Sequence, residues 1–188
     1  PNLLCVDMGG TSFDLSLVVN GQPEITSETE LEGLPLLMPM VNIHTIGAGG
    51  GSLAWLEAGA VRVGPQSAGA IPGPACYGNG GTQPTVTDAN LVIGRMAAGA
   101  FLGGRRALDL SLARQSIDEY VAKPLGLDIN TAAAGIITIV NSNMATAIRA
   151  VSIERGIDPR DYVLVAGGGA GGLHAVELAK MLGIQEVL

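Results

Sequence analysis

The stretch VDMGGTSFDLSLV, residues 6–18, gathers two aspartates, two glycines and two hydroxyls. Asp7 falls at the end of one apolar run, Gly9 and Gly10 in a turn, Thr11 and Ser12 beyond it. Asp14 lies one step into a second apolar run. Adjacent glycines let backbone N–H groups approach an oxyanion closely, and the hydroxyls can add donors. A carboxylate at a strand end can hold a water or Mg2+ beside phosphates. The same residues also make a glycine hairpin in which Asp7 and Asp14 cap turn amides. Spacing alone leaves both readings open.

Two more glycine clusters follow. In HTIGAGGGS, residues 44–52, Gly47, Gly49, Gly50 and Gly51 exceed what one turn requires. They predict close backbone contact with a ligand or with another segment, against the alternative of a flexible connection. His44, a single histidine on a strand, reads as structural. In VLVAGGGAGGLHAVELAK, Gly167, Gly169 and Gly172 match GxGxxG between a strand and a helix. A run holding five glycines matches such a pattern easily, and a dinucleotide fold places it at its first strand. What survives is a helix N-terminus with free amides, suited to an anion or a nucleotide edge. His174 then falls in the first helical turn and reads as packing or capping. There is no GxxxxGK[ST] and no GxSxG. Cys76, in PGPACYGNGG, has no identifiable partner and reads as a structural thiol.

These residues need elements to hold them. Residues 3–7 and 12–19 read as strands, and Asn20-Gly21 as a hairpin turn into a third strand near 24–30. Residues 41–46 read as another short strand, and LAWLEAGAVRVG as a hairpin turning around Ala58-Gly59. Residues 64–84, crowded with glycine and proline, predict an ordered irregular loop whose length points to a role of its own. Asp88 is placed to cap a helix over 89–97, and Ser111 one over 112–122 ended by Pro124. Thr131 begins a long helix ending near Arg155, with Gly156 just after its C-cap. Its apolar positions Ile136, Ile137, Val140, Met144, Ile148 and Val151 recur at three and four, which is one buried face. YVLVAG reads as a strand, GGAGG as a loop and 173–182 as a helix. Strands first, then helices, with a closing strand–loop–helix, give an α/β fold.

The 188 residues suffice for one domain, and 47% hydrophobic with 14% charged residues describes a globular interior. Only 3% are aromatic, so Val, Ile, Leu and Ala must build the core. A net charge of −7 offers no basic face to nucleic acid or to an anionic membrane. No apolar run reads as long enough to span a bilayer, and no signal peptide opens the sequence. Cys5 and Cys76 form no CxxC pair, and Cys5 reads as a buried thiol, so a reducing cytoplasm is expected. The sequence starts at Pro1 and stops within the apolar run of GIQEVL, which suggests a piece of a longer polypeptide.

Together, DMGGTSFDLSLV, the run from IHTIGAGGGS through GPQSAGAIPGPACYGNGG to TVTDANLVIGRM, and NSNMATAIRAVSIERGIDPRDYVLVAGGGAGGLHAVELAKMLGI resemble the hydantoinase A and 5-oxoprolinase family. That family includes N-methylhydantoinase, acetone carboxylase and acetophenone carboxylase subunits. The resemblance covers nearly the whole chain. It implies an RNase-H-like half of the actin-like ATPase fold, a mixed sheet flanked by helices, with this chain as the second half and a first DxGGT-type half upstream. It also implies that Asp7, Gly9, Gly10, Thr11, Ser12 and Asp14 form a phosphate motif, and that Gly167, Gly168, Gly169, Ala170 and Gly171 form an adenosine motif. ATP and Mg2+ follow as cofactors, with Asp7 as metal ligand and Asp7 and Asp14 as catalytic carboxylates. The implied reaction is ATP-dependent activation of the carbonyl oxygen of a cyclic amide, or of a ketone in the carboxylases. A hydantoinase B-type subunit is an implied partner, and a scaffold domain of the same fold is the non-catalytic alternative. Gly172 departs from the family, which usually has proline there.

Overall fold

The computed structural model describes residues 1–27, 29–31, 34–99 and 101–188. The hairpin β1 (Leu3–Met8) and β2 (Phe13–Val19) opens the fold, and Asn20-Gly21, both at positive φ, turn the chain into β3 (Gln22–Pro23). Four short strands follow in two antiparallel pairs: β4 (Ile25–Thr26) with β7 (Met40–Val41), and β5 (Thr29–Leu31) with β6 (Leu34–Leu36). The single third strand expected near 24–30 is thus broken into pieces, and its residue 28 lies outside the described residues. The strand expected over 41–46 is likewise split, its second part being β8 (His44–Ile46). The hairpin β9 (Ser52–Glu57) and β10 (Ala60–Ser67) turns at Ala58 and Gly59, again both at positive φ, as the sequence predicts.

Helices then take over: α1 (Val86–Val92), α2 (Leu110–Ile117), the single turn α3 (Lys123–Leu125), and α4 (Ile129–Val151). β11 (Val163–Gly167) and α5 (Gly168–Leu182) close the chain. The main sheet runs β11-β1-β2-β3, with β8 also on β2. β1 pairs parallel to β11 and antiparallel to β2, so the sheet is mixed. Beyond β11, Val187 bridges Leu164 in parallel.

Alternation divides the sheet into two faces. Leu4, Leu17 and Leu164 are cross-strand neighbours, all 0–2% exposed, and Val6, Met8, Phe13 and Leu15 join them. Against this face pack Ile136, Ile137, Val140, Met144 and Ile148 of α4 and Leu178 and Leu182 of α5. Each such side chain contributes about 1.5–3 kcal/mol when withdrawn from water. The other face carries the rows Cys5–Ser16–Val165 and Asp7–Asp14–Gly167 and is half-open. Cys5 is therefore only half-buried, not sealed in the core.

Several boundaries differ from expectation for local reasons. Thr85, not Asp88, caps α1. Its hydroxyl accepts from Asp88 N while Asp88 reaches back to Thr85 N, a capping box that moves the start to Val86. Asp109 and Asp128 cap α2 and α4, two or three residues before the expected Ser111 and Thr131. Pro124 does not end its helical segment. A π-turn at Asp118–Ala122 loosens the ladder just before it, and the path stops only at left-handed Gly126. The 27-residue stretch Ile129–Arg155 is long and apolar enough to cross a bilayer, contrary to expectation. Half of its most apolar window is buried inside this fold, where it serves as the core helix.

Candidate functional site

One register row crosses four strands: Gly167 pairs with Asp7, Asp7 with Asp14, and Asp14 with Thr45. Paired residues share a face, so the two aspartates stand side by side on the open face. β1 and β11 are parallel and end together here, and the crevice beyond such carboxyl ends is where open α/β sheets bind ligands. The two carboxylates are not equivalent. Asp14 accepts from Ser12 Oγ at 3.0 Å and from Thr45 Oγ1 at 2.5 Å, which ties the loop and β8 together. Asp7 is exposed, and its carboxylate makes no hydrogen bond or ion pair among the described residues.

The turn between the strands is closed by Gly9 N–H donating to Ser12 O at 3.2 Å. Gly10 and Thr11 are exposed, and their N–H groups donate to no oxygen among the described residues. A Cβ added at Gly9 or Gly10 would meet nothing within 4 Å, and neither residue has a left-handed φ. Neither packing nor backbone geometry demands glycine there. What the missing side chains leave is open space above free amides.

α5 begins directly after β11, so GGAGG is helix and not loop, and the expected start at 173 is five residues late. Gly167 is the N-cap, with no side chain capping the first turn. Gly168 has φ +80°, and a Cβ on it would come 2.5 Å from Asp7 Oδ1, so this position requires glycine. The Asp7 carboxylate therefore sits over the positive end of the α5 dipole. Gly168 and Gly169 are exposed, Ala170 is half-buried, and Gly171 is buried close to Met8 N. The structure thus brings Asp7, Asp14, the loop 9–12 and the α5 N-terminus into one constellation. Gly172 lies in the second turn, where a proline would remove a helical N–H, rather than in the first.

The second glycine cluster backs the first. Gly50 N–H donates to Gly9 O at 3.0 Å, and Gly51 N–H to Gly10 O at 2.7 Å. A Cβ on Gly49 would meet Thr11 N at 2.5 Å, and one on Gly51 would meet Gly10 O at 2.9 Å. Of the two expected contacts, ligand or chain, the partner is chain. Thr87, in the first turn of α1, donates its N–H and hydroxyl to Gly50 O, each at 2.8 Å. Residues 48–52 are all buried.

Behind α1, the carboxylate of Asp88 is fully buried. It accepts from Ala75 N, Cys76 N, Thr85 N and Thr85 Oγ1 at 2.8–3.2 Å. It clamps the glycine–proline loop to the helix. Cys76 is 1% exposed, and burial, then the neighbouring Asp88, pushes its thiol far up. It is a structural thiol and no nucleophile. His44 is exposed on β8 opposite Leu15. His174 is fully buried and held neutral, because burial foremost and then Arg95 bring its pKa down to about 4.

Among the described residues, no three His, Cys, Asp or Glu side chains are grouped to hold a metal. Mg2+ does not need such a group, since it takes one or two carboxylates and fills its shell with water and phosphate oxygens. The unpartnered carboxylate of Asp7 fits that donor set. The cavity of about 440 Å3 walled by Trp55, Val61, Val63 and Ile139 shares no residue with this constellation. Sequence reasoning missed Thr45, Thr87 and Asn90. Each acts across strands or helices far apart in the chain, and no local spacing signals that.

The signature of the hydantoinase/oxoprolinase family matches residues 1–188. The chain belongs to that family. Caprolactamase subunit alpha from Pseudomonas jessenii is 50% identical over 188 residues, all of this chain and 27% of the relative. The crystal structure of the ATP-dependent caprolactamase from Pseudomonas jessenii superposes with a TM-score of 0.91 at 49% identity, over all of this chain and 27% of that one. A nucleotide-free acetone carboxylase structure gives a TM-score of 0.89 at 34% identity, over 99% of this chain and 26% of that one. As a hydantoinase/oxoprolinase family member, the chain spans about a quarter of the length of these relatives. The mixed sheet with flanking helices is the fold of an actin-like ATPase half-domain, as the resemblance implied.

Proposed function

We propose that this chain is the second ATPase half of an ATP-dependent cyclic-amide hydrolase. The observation that carries it is the meeting of Asp7, the open loop 9–12 and the uncapped N-terminus of α5 at the ends of two parallel strands. In this reading the free N–H groups of Gly10 and Thr11 donate to phosphate oxygens, and the hydroxyl of Thr11 adds a donor. Asp14 fixes Ser12 and Thr45 so that the loop is preorganised. The first turn of α5, from Gly168 to Gly171, borders the adenosine. Asp7 is the residue that would hold Mg2+, which neutralises phosphate charge when bound. The amide oxygen attacks the γ-phosphorus as the bond to ADP breaks. Water then adds to the activated carbon, and the ring C–N bond opens with release of phosphate. Such transfer needs positioning and charge neutralisation more than covalent catalysis; in this reading the backbone amides serve the positioning, and Asp7 would hold the Mg2+ that supplies the neutralisation.

A ketone in place of the cyclic amide is the second reading, supported by the likeness to acetone carboxylase. The designation of the relative as subunit alpha supports a partner of hydantoinase B type, and dependence on ATP suits the cytoplasm. The test is ATP hydrolysis by the complete polypeptide carrying this chain, with and without a lactam. Amide-stimulated turnover is expected, and Asp7→Asn is expected to lower it about 1,000-fold. Full activity in that variant would remove Asp7 from the reaction.

A further inference from the structure

A chain of polar groups, buried at Asn90, Asn141 and His174, links α1, α4 and α5, and the proposed chemistry leaves it unused. His174 of α5 places Nδ1 2.7 Å from Asn141 Oδ1 on α4, and Nε2 3.1 Å from Asn90 Nδ2 on α1. Asn141 Nδ2 donates to Glu177 Oε2, and Glu177 Oε1 pairs with Arg95. Arg95 also donates to Leu173 O at 3.1 Å. With the Asn141 amide nitrogen committed to a carboxylate, its oxygen must accept. The imidazole therefore carries its proton on Nδ1, and Nε2 accepts from Asn90.

α1 reaches both open parts of the candidate site at one remove, through Gly50 and through His174. Three residues before Asn90, Thr87 donates to Gly50 O, and Gly50 N–H holds Gly9 O. Three residues of helix, a rise of about 4.5 Å, thus separate the hold on the phosphate loop from the hold on α5. The buried face of α5 is otherwise poor in large side chains near its start, with only Gly171 and Ala175 flanking His174. Gly168 anchors the first residue of α5 against the end of β1, and His174 is the large polar group that fixes the following turn against α1 and α4. Asn90 Oδ1 is buried without a donor among the described residues. An unsatisfied acceptor is unfavourable, so Asn90 is out of place as mere filling.

We propose that His174 is a positioning residue: through Asn90 and α1 it sets the first turn of α5 against the loop 9–12, so that one nucleotide meets both. This rests on the proposed ATPase reading and adds the residue that fixes the spacing of its two nucleotide contacts.

The complete polypeptide, with any subunit that copurifies, is assayed for the KM and kcat of ATP and for Tm in wild type, His174→Gln and His174→Asn. A glutamine amide reaches the place of Nε2 and keeps the bond to Asn90. An asparagine amide takes the place of Nδ1 and keeps only the bond to Asn141. His174→Asn is expected to raise the KM for ATP about tenfold with kcat within about twofold, while His174→Gln stays within about threefold of wild type. The contrast should hold although the two variants lose similar amounts of Tm. Equal KM values in the two variants, or KM values that simply follow Tm, overturn the inference and leave the ATPase reading standing. No ATP binding by the wild type overturns that reading, and the inference with it.

Discussion

Residues 47–51 and residues 9–12 are both rich in glycine, lie against each other, and use glycine in opposite ways. In the first loop a methyl group on Gly47, Gly49, Gly50 or Gly51 would strike a neighbouring atom at 2.5–2.9 Å, and the loop from Ala48 onward is buried. In the second, a methyl on Gly9 or Gly10 would meet nothing. One glycine cluster lets two stretches of backbone touch, and the other leaves room for something that is not protein. Counting glycines cannot separate these cases. The atom that a Cβ would meet does.

The sharpest way to break this contrast is Gly49→Ala. Its Cβ would press on the backbone at Thr11 N, which no rotamer can relieve. A loss of about 4 kcal/mol in urea unfolding is expected, and a cost below about 1 kcal/mol would show that the supporting loop yields easily. The next effect belongs to the same supporting layer. The folded pKa of His174, about 4, lies below its ordinary value of 6.5. Its neutral form therefore stabilises the fold fully above pH 6.5, and that contribution is lost as pH falls from 6.5 to 4. The expected loss is about 3 kcal/mol, read by urea titrations at stepped pH, and His174→Gln should flatten that acid limb. A limb unchanged in the variant would assign it to other groups. The smallest stability effect is expected in the presenting layer. Gly10→Ala should alter unfolding by no more than about 0.5 kcal/mol and yet raise the KM for ATP about thirtyfold, because its methyl occupies the space above the free amides. A destabilised Gly10→Ala with normal ATP binding would erase the distinction between the loops.

Much of the frame was legible from local pattern. The β1–β2 hairpin, the turns at Asn20-Gly21 and Ala58-Gly59, the face of α4 and the closing strand all follow from alternation, period and positive-φ residues. Helix starts were misplaced where a cap lay earlier than the nearest polar residue suggested, as with Thr85 before Asp88. α5 was shortened because glycine is a poor helix former. Tertiary contact of Gly168 with the end of β1 outweighs that propensity. Within the candidate site, the sequence pointed to Asp7, Asp14 and the three glycine clusters. It could not divide the two aspartates, because Thr45, which ties up Asp14, comes from a strand 31 residues away. Nor could it pair His174 with Asn90, which lie 84 residues apart.

The parallel pairing of β1 with β11 has a kinetic meaning. It joins Leu3 to Val163, so Asp7 and Gly168 become neighbours only when nearly the whole chain has closed on itself. Contacts of such sequence separation form late and slowly in folding, after their loop-closure entropy has been met. A ligand held between Asp7 and α5 therefore has nothing to bind in a partly folded chain. Its free energy falls entirely on the native state, about 2.7 kcal/mol at a hundred times its Kd. Ligand occupancy then also reports that the segments around Asp7 and Gly168 have met.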